Sequence, residues 1–295
     1  MSKKHPVIAV TGSSGAGTTT VKRAFEHIFF REKINAAVIE GDSFHSLARV
    51  DFKDAVKKAE AEGNFSFSHF GPQANHFGKL AELFETYGKT GSGKKRFYIH
   101  SDEEAEQHNK RLNTSLNPGE FTPWEDVPAG SDVLFYEGLH GLVKTDDVDV
   151  AKHVDLGIGV VPIVNLEWIQ KIHRDGAERG YSADVIVDTI LRRMPDYVNY
   201  ITPQFSRTDI NFQRVSTVDT SNPFISRDIP TPDESFIVIR FREPKGVDFP
   251  YLLNMIPNSF MSRRNTLVVP GAKMGFAMEL ILAPIIQDMI ANKNK

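Results

Sequence analysis

Residues 6–20 read PVIAVTGSSGAGTTT, and this stretch decides the architecture. Val7 to Val10 form a short apolar run closed by Gly12, the pattern of a strand buried on both faces. Beyond the turn, Val21, Phe25, Ile28 and Phe29 recur at helical spacing up to Arg31. Residues 36–45, AAVIEGDSFH, then give a second apolar strand ending at Gly41 and Asp42. Strand, glycine-rich turn, helix and strand make a βαβ unit, which predicts a parallel sheet.

The turn carries chemistry of its own. Gly12 and Gly17 have the spacing of a P-loop, Gly-x4-Gly, but Thr18 stands where that pattern has lysine, and Thr19 fills its hydroxyl position. Glycines let backbone N–H groups turn inward, and those amides together with the helix start form a nest for phosphate oxygens. Gly12, Ser13, Ser14, Gly15, Ala16, Gly17, Thr18 and Thr19 are therefore the expected ATP-binding residues, with Thr19 offering its hydroxyl to Mg²⁺. A serine-rich turn with no ligand is the bland alternative, and the strand before and helix after weigh against it. Without the loop lysine, another cation must reach the transferring phosphoryl group.

Ligands of open parallel sheets sit beyond the carboxyl ends of the strands. Two acids occupy such ends, Asp42 after AAVIEG and Glu137 after DVLFY. Phosphoryl transfer needs a carboxylate near the acceptor hydroxyl and another for the metal. Asp42, near His45 and Arg49, suits the first role, and Glu137 the second. Each also suits an ordinary turn position. Further along, NLEWIQKIHRDGAERGYS puts Lys171, Arg174, Asp175, Glu178 and Arg179 on one helical face. Such a face is commonly a solvated surface with ion pairs such as Asp175 with Arg179. Here Lys171 and Arg174 would supply the cation the loop lacks. Arg192 and Arg193 suit either the nucleotide or the surface.

The rest of the chain is read more coarsely. Residues 50–62 and 76–87 look helical, and RFYIH, residues 96–100, suggests a hairpin strand outside the main sheet. Residues 102–118 look like a solvated excursion. Residues 155–161 give a further strand, Asn165 is placed to cap the helix that runs to Arg179 and stops at Gly180, and another begins near Ser182. From about residue 216 the chain is strand-rich, in VSTVDT, SFIVIRFR and TLVVP, before a final helix over about 272–291. The expected fold is α/β: one P-loop NTPase-like domain over 1–295, a mixed sheet with flanking helices and excursions near 88–130.

Composition sets limits. The 295 residues are 40% hydrophobic, with net charge −3 and no cysteine. That is enough for a large core, gives no support to nucleic-acid binding, and excludes disulfides and thiolate metal sites. The apolar stretch at 274–286 is read as too short and too polar to span a bilayer, so a cytoplasmic protein is expected.

GSSGAGTTT, IEGDSFH, FSHF, YIH, FYEGLHG, NLEWIQKIHRDGAERGYS and DTSNPFI, in this order, resemble the bacterial type of phosphoribulokinase. The resemblance spans nearly the whole chain. It implies MgATP-dependent phosphorylation of ribulose 5-phosphate at C1, giving ribulose 1,5-bisphosphate for carbon fixation in the Calvin cycle. It implies Asp42 as catalytic base, Asp175 as a second essential carboxylate and Glu137 as the Walker-B acid. Lys171 and Arg174 would stabilise charge in transfer, and His45, Arg49, Tyr98, His100 and Arg179 would surround the sugar phosphate. It further implies a homo-oligomer regulated by NADH and AMP, for which Arg31, Arg240 and Arg263 are candidate cations. Two competing expectations remain: another P-loop kinase, for uridine or pantothenate, and an ATP-binding sensor without chemistry.

Overall fold

The computed structural model describes residues 4–12, 18–226 and 228–293. In chain order its strands are β1 (Val7–Gly12), β2 (Ala36–Glu40), β3 (Lys94–Lys95), β4 (Glu125–Asp126), β5 (Val133–Gly138), β6 (Leu156–Val161), β7 (Ile210–Ser216), β8 (Ser235–Phe241), β9 (Phe260–Arg263) and β10 (Thr266–Pro270). Its helices are α1 (Thr18–Arg31), α2 (Arg49–Ala61), α3 (Phe77–Thr90), α4 (Asp102–Leu112), α5 (Val164–Arg179), α6 (Ala183–Asp196), α7 (Phe249–Met255) and α8 (Met274–Asn292). Eight strands form one sheet in the order β2-β5-β1-β6-β7-β8-β10-β9. The first five run parallel, and β8, β10 and β9 continue antiparallel.

The expected βαβ unit is present, and β1 is buried along its whole length. Alternation distributes its side chains to two layers. Ile8 and Val10 meet Val21, Phe25 and Phe29 of α1 and Met278 and Leu282 of α8 on one face. Val7 and Ala9 meet Leu80, Phe84 and Tyr87 of α3 on the other. β8 instead alternates buried and exposed residues, as a strand packed on one side does.

Several expectations change. Asn165 does not cap α5: the helix begins at Val164 after Ile163, and the Asn165 amide instead donates to Ser221 O at 3.4 Å. Gly180 does end α5, in the left-handed conformation at φ 68°. Residues 102–112 of the supposed excursion are the helix α4, whose first turn is capped by Ser101 accepting from Glu104 N. Only Ala105 of it is buried, so no apolar stripe advertised it. The small sheet near residue 94 pairs Lys94–Lys95 with Glu125–Asp126, while Tyr98 makes only a single bridge to Phe121. The C-terminal strands begin at Ile210, earlier than VSTVDT suggested. Gly271–Asn292 is long and apolar enough by length and composition to cross a membrane, correcting the reading of that stretch as too short. Met274, Ala277, Met278, Ile281, Leu282 and Ile286 of this segment lie in the sheet's core, which accounts for its apolarity.

Candidate active site

β2 and β5 run side by side, with Glu40 in register with Glu137. β2 passes into a tight turn, Gly41–Phe44, which carries Asp42, and Glu137 sits in the last turn of strand before Gly138. The two glycines nearly touch: a Cβ on Gly138 would lie 2.6 Å from Gly41 Cα and 2.7 Å from the Tyr136 hydroxyl. Their lack of side chains lets the carboxylate-bearing ends approach. Gly12, Lys22, Asp42, His100, Glu104 and Glu137 line the resulting cleft, about 380 Å³ in volume.

Asp42 has its side chain 44% exposed toward this cleft, with Oδ1 3.3 Å from His45 Nε2. His45 is buried, and its Nδ1 donates to Asn75 Oδ1 at 2.8 Å. The direction is fixed because the Asn75 amide group donates to His69 O and Gly71 O. Partial burial raises the Asp42 carboxyl, but the bond from His45 and the positive charge of the neighbouring histidines outweigh it and hold it down to about 2. Asp42 is thus an ionised acceptor at neutral pH.

Glu137 goes the other way. Burial, then the negative charges of Asp42 and Glu40, push it up to about 7 against the relief from Lys22. A half-buried carboxylate facing two others suits a divalent cation. Among the described residues no three side chains form a metal cluster. Mg²⁺ binds through one or two protein oxygens plus phosphates and water, and Glu137 at the cleft would supply one such oxygen.

Tyr98 lies with ring centroids 4.9 Å from His100 and 6.4 Å from His45, so Asp42, His45, Tyr98 and His100 come together as expected. Arg49 opens α2 and its chain crosses Gly119, which is tied to Ile99 O by its N–H at 2.7 Å. It therefore flanks the same site. Lys171, Arg174 and Asp175 form a tight group: the Lys171 ammonium bonds Asp175, and Arg174 Nε donates to its other oxygen at 3.0 Å. Asp175 thus pairs with these two cations; the expected pair with Arg179 involves a side chain outside the described residues. Burial, then the charge of Arg193, lowers Lys171 to about 8 against the pull of Asp175. Of the expected ATP-binding residues, Ser13, Ser14, Gly15, Ala16 and Gly17 lie outside the described residues, as do the side chains of Thr18, Thr19 and Arg179.

Arg192 is engaged by Glu60 and Asp188. Arg193 lies over the Phe70 ring at 5.2 Å. Arg240 and Arg263 share one cross-strand row about Thr266, whereas Arg31 bonds Glu279 of α8 in the helix layer. The chain does not gather these three arginines at one point.

Sequence reasoning missed three residues. Lys22 bonds Glu40 at 3.1 Å and enters the cleft from α1. Its signal was its place one helical turn after Thr18. Glu104 accepts from His100 N at 2.8 Å. His69 lies 4.5 Å from His45 and stacks on Phe52 at 3.5 Å. Burial, then His45 and Arg193, drives it well below the ordinary histidine value. FSHF contained it, but nothing local tied it to Asp42.

A parallel sheet with a glycine-rich turn after its central strand, and carboxylates at two neighbouring strand ends, defines a small-molecule kinase of the P-loop class. The family model described as "Phosphoribulokinase / Uridine kinase family" matches residues 7–221. A phosphoribulokinase from Nitrobacter vulgaris is 58% identical over 100% of both chains. A probable phosphoribulokinase from Escherichia coli (strain K12) is 57% identical over 99% of each. A solved phosphoribulokinase from Rhodobacter spheroides superposes with TM-score 0.90 at 52% identity, covering 100% of both chains. The chain belongs to the phosphoribulokinase / uridine kinase family.

Proposed function

We propose that this chain transfers the γ-phosphoryl group of ATP to the C1 hydroxyl of ribulose 5-phosphate, giving ribulose 1,5-bisphosphate and ADP. The observation that carries this reading is the 58% identity to a phosphoribulokinase over the full length of both chains. The grouping of Asp42, His45, Tyr98 and His100 at one strand end supports it, because a sugar phosphate needs hydrogen-bond donors and cations beyond those that hold ATP.

The glycine-rich turn, residues 12–19, receives the ATP phosphates on its backbone amides. Glu137 and Thr19 would hold Mg²⁺, and the ion would supply positive charge to the ATP phosphates. Asp42 orients the C1 hydroxyl and takes its proton as that oxygen bonds to the γ-phosphorus and the bond to ADP breaks. A carboxylate at about 2 is a weak base, which suffices because a loose phosphoryl transition state calls for little proton abstraction before bond formation. His45, Arg49, Tyr98, His100 and Arg179 hold the sugar phosphate. Lys171 and Arg174 bring positive charge to the transferred group, and Asp175 keeps both cations in place.

As finer parts of the same proposal, the enzyme is a cytoplasmic homo-oligomer of the Calvin cycle. It answers to NADH and AMP through Arg31, Arg240 and Arg263. Because these three are dispersed in one protomer, an effector site using all of them would need two subunits. Release of ADP from MgATP, measured with ribulose 5-phosphate, uridine and pantothenate in parallel and with or without NADH, tests the proposal. Turnover with ribulose 5-phosphate alone is expected. Turnover with uridine instead would assign the chain to the other branch of its family, and no turnover with ATP still bound would make it a sensor.

A further inference from the structure

The segment after β3 pairs antiparallel with residues 119–122. Phe97 N donates to Thr122 Oγ1 at 2.9 Å, Ile99 N to Glu120 O at 3.0 Å, and Gly119 N to Ile99 O at 2.7 Å. Successive side chains of an extended segment alternate, so Arg96, Tyr98 and His100 share one side while Ile99 is buried on the other. Tyr98 and His100 reach the ring of His45 and the Asp42 cleft. Arg96 reaches beneath it.

Arg96 Nε donates to Ser43 O at 2.8 Å, and a terminal nitrogen donates to His45 O. Both acceptors belong to the turn that presents Asp42 and His45. The guanidinium lies 3.7 Å over the Phe121 ring and 4.7 Å from Trp124, and Trp124 in turn packs edge-on against Phe44 of the same turn at 5.6 Å. Among the described residues no carboxylate pairs with Arg96. Burial alone lowers it, to about 10, so it is still a cation at neutral pH. A half-buried arginine with no counter-ion, spending its fork on two backbone carbonyls, is expensive to keep as a mere staple.

We propose that Arg96 is a positioning residue for phosphoryl transfer, holding the turn Gly41–Phe44 so that Asp42 and His45 meet the acceptor substrate in register. The planar fork is what allows this. It satisfies two carbonyls at once while its faces rest on aromatic rings, which a lysine ammonium cannot reproduce. The contacts of Arg96 go to the turn that carries Asp42 and to the rings of Phe121 and Trp124, so the role is assigned to the acceptor side.

The test is Arg96→Lys in the full-length protein, with kcat and both KM values measured well below its melting temperature. Loss of register by about 1 Å costs on the order of 100-fold, so kcat/KM for ribulose 5-phosphate should fall by about that factor, with KM for ATP within about twofold of the parent. Phe121→Leu removes the ring under the guanidinium and leaves both carbonyl bonds available. It should give a smaller loss, again confined to the sugar phosphate, and it decides the matter if Arg96→Lys does not fold. Unchanged kinetics toward ribulose 5-phosphate would overturn the proposal. So would a loss shared equally by ATP and the sugar phosphate, which marks general destabilisation.

Discussion

Glu137 is the acid whose behaviour the structure specifies most sharply, and Glu137→Gln exposes it. In the folded chain burial and the charges of Asp42 and Glu40 raise this carboxyl to about 7, against 4.5 for the free group. The folded state therefore keeps a proton that the unfolded chain has released. Stability drawn from that proton is complete below pH 4.5 and is lost as pH rises through about 7. The shift corresponds to a cost of about 3 kcal/mol at pH 8, and under about 1 kcal/mol at pH 5. Glutamine fills the same space and never ionises, so the variant should be more stable than its parent at pH 8 by about 2–3 kcal/mol. For a chain of this size that is roughly 3–5 °C in melting temperature. Urea or thermal unfolding without nucleotide, at pH 5 and pH 8, measures it. With Mg²⁺ and ATP the order should invert, because only the parent offers a carboxylate to the cation, and kcat of the variant should fall by at least about 100-fold. Equal stability of the two proteins at both pH values would refute the idea that Glu137 is desolvated and repelled in the empty cleft.

Other outcomes follow from the same geometry. Asp42→Asn should lower kcat by about 10²- to 10⁴-fold while isothermal titration finds ATP affinity nearly unchanged; full activity would remove Asp42 as the proton acceptor. Arg49→Ala should raise KM for ribulose 5-phosphate by about tenfold, and a change confined to KM for ATP would refute its placement beside the acceptor. Lys171, lowered to about 8 by burial and Arg193, loses its charge as pH rises through that value, so kcat should decline above about pH 8. Lys171→Arg should move that alkaline limb upward, since arginine stays charged; an unmoved limb would mean that another group sets it.

How much of the site could be read in advance depended on range. Asp42 and Glu137 announced themselves because a buried parallel strand is a continuous apolar run, and the residue just past its end is where ligands collect. The cluster on α5 was visible as a helical face, and within it Asp175 joins Lys171 and Arg174, contacts that helical spacing allows but does not single out. Asn165 misled because a cap is decided by where the chain enters the helix, and here the entry comes directly after Ile163. α4 escaped notice although Ser101 and Glu104 carry a capping signal, because a helix with one buried residue lacks the stripe by which helices are recognised.

The sequence by itself determined the βαβ unit, the phosphate-binding turn, the strand-end carboxylates and the kinase class, since each rests on local periodicity or fixed spacing. Only the tertiary structure decided the strand order β2-β5-β1-β6-β7-β8-β10-β9. It alone brought His45, His69 and His100 around Asp42 and set Arg96 beneath the turn that carries it. Those residues are as many as 58 positions from Asp42 along the chain. Their meeting depends on which loops the sheet's topology folds over one edge, and burial and charge at that meeting move the acids in opposite directions, to about 2 and about 7.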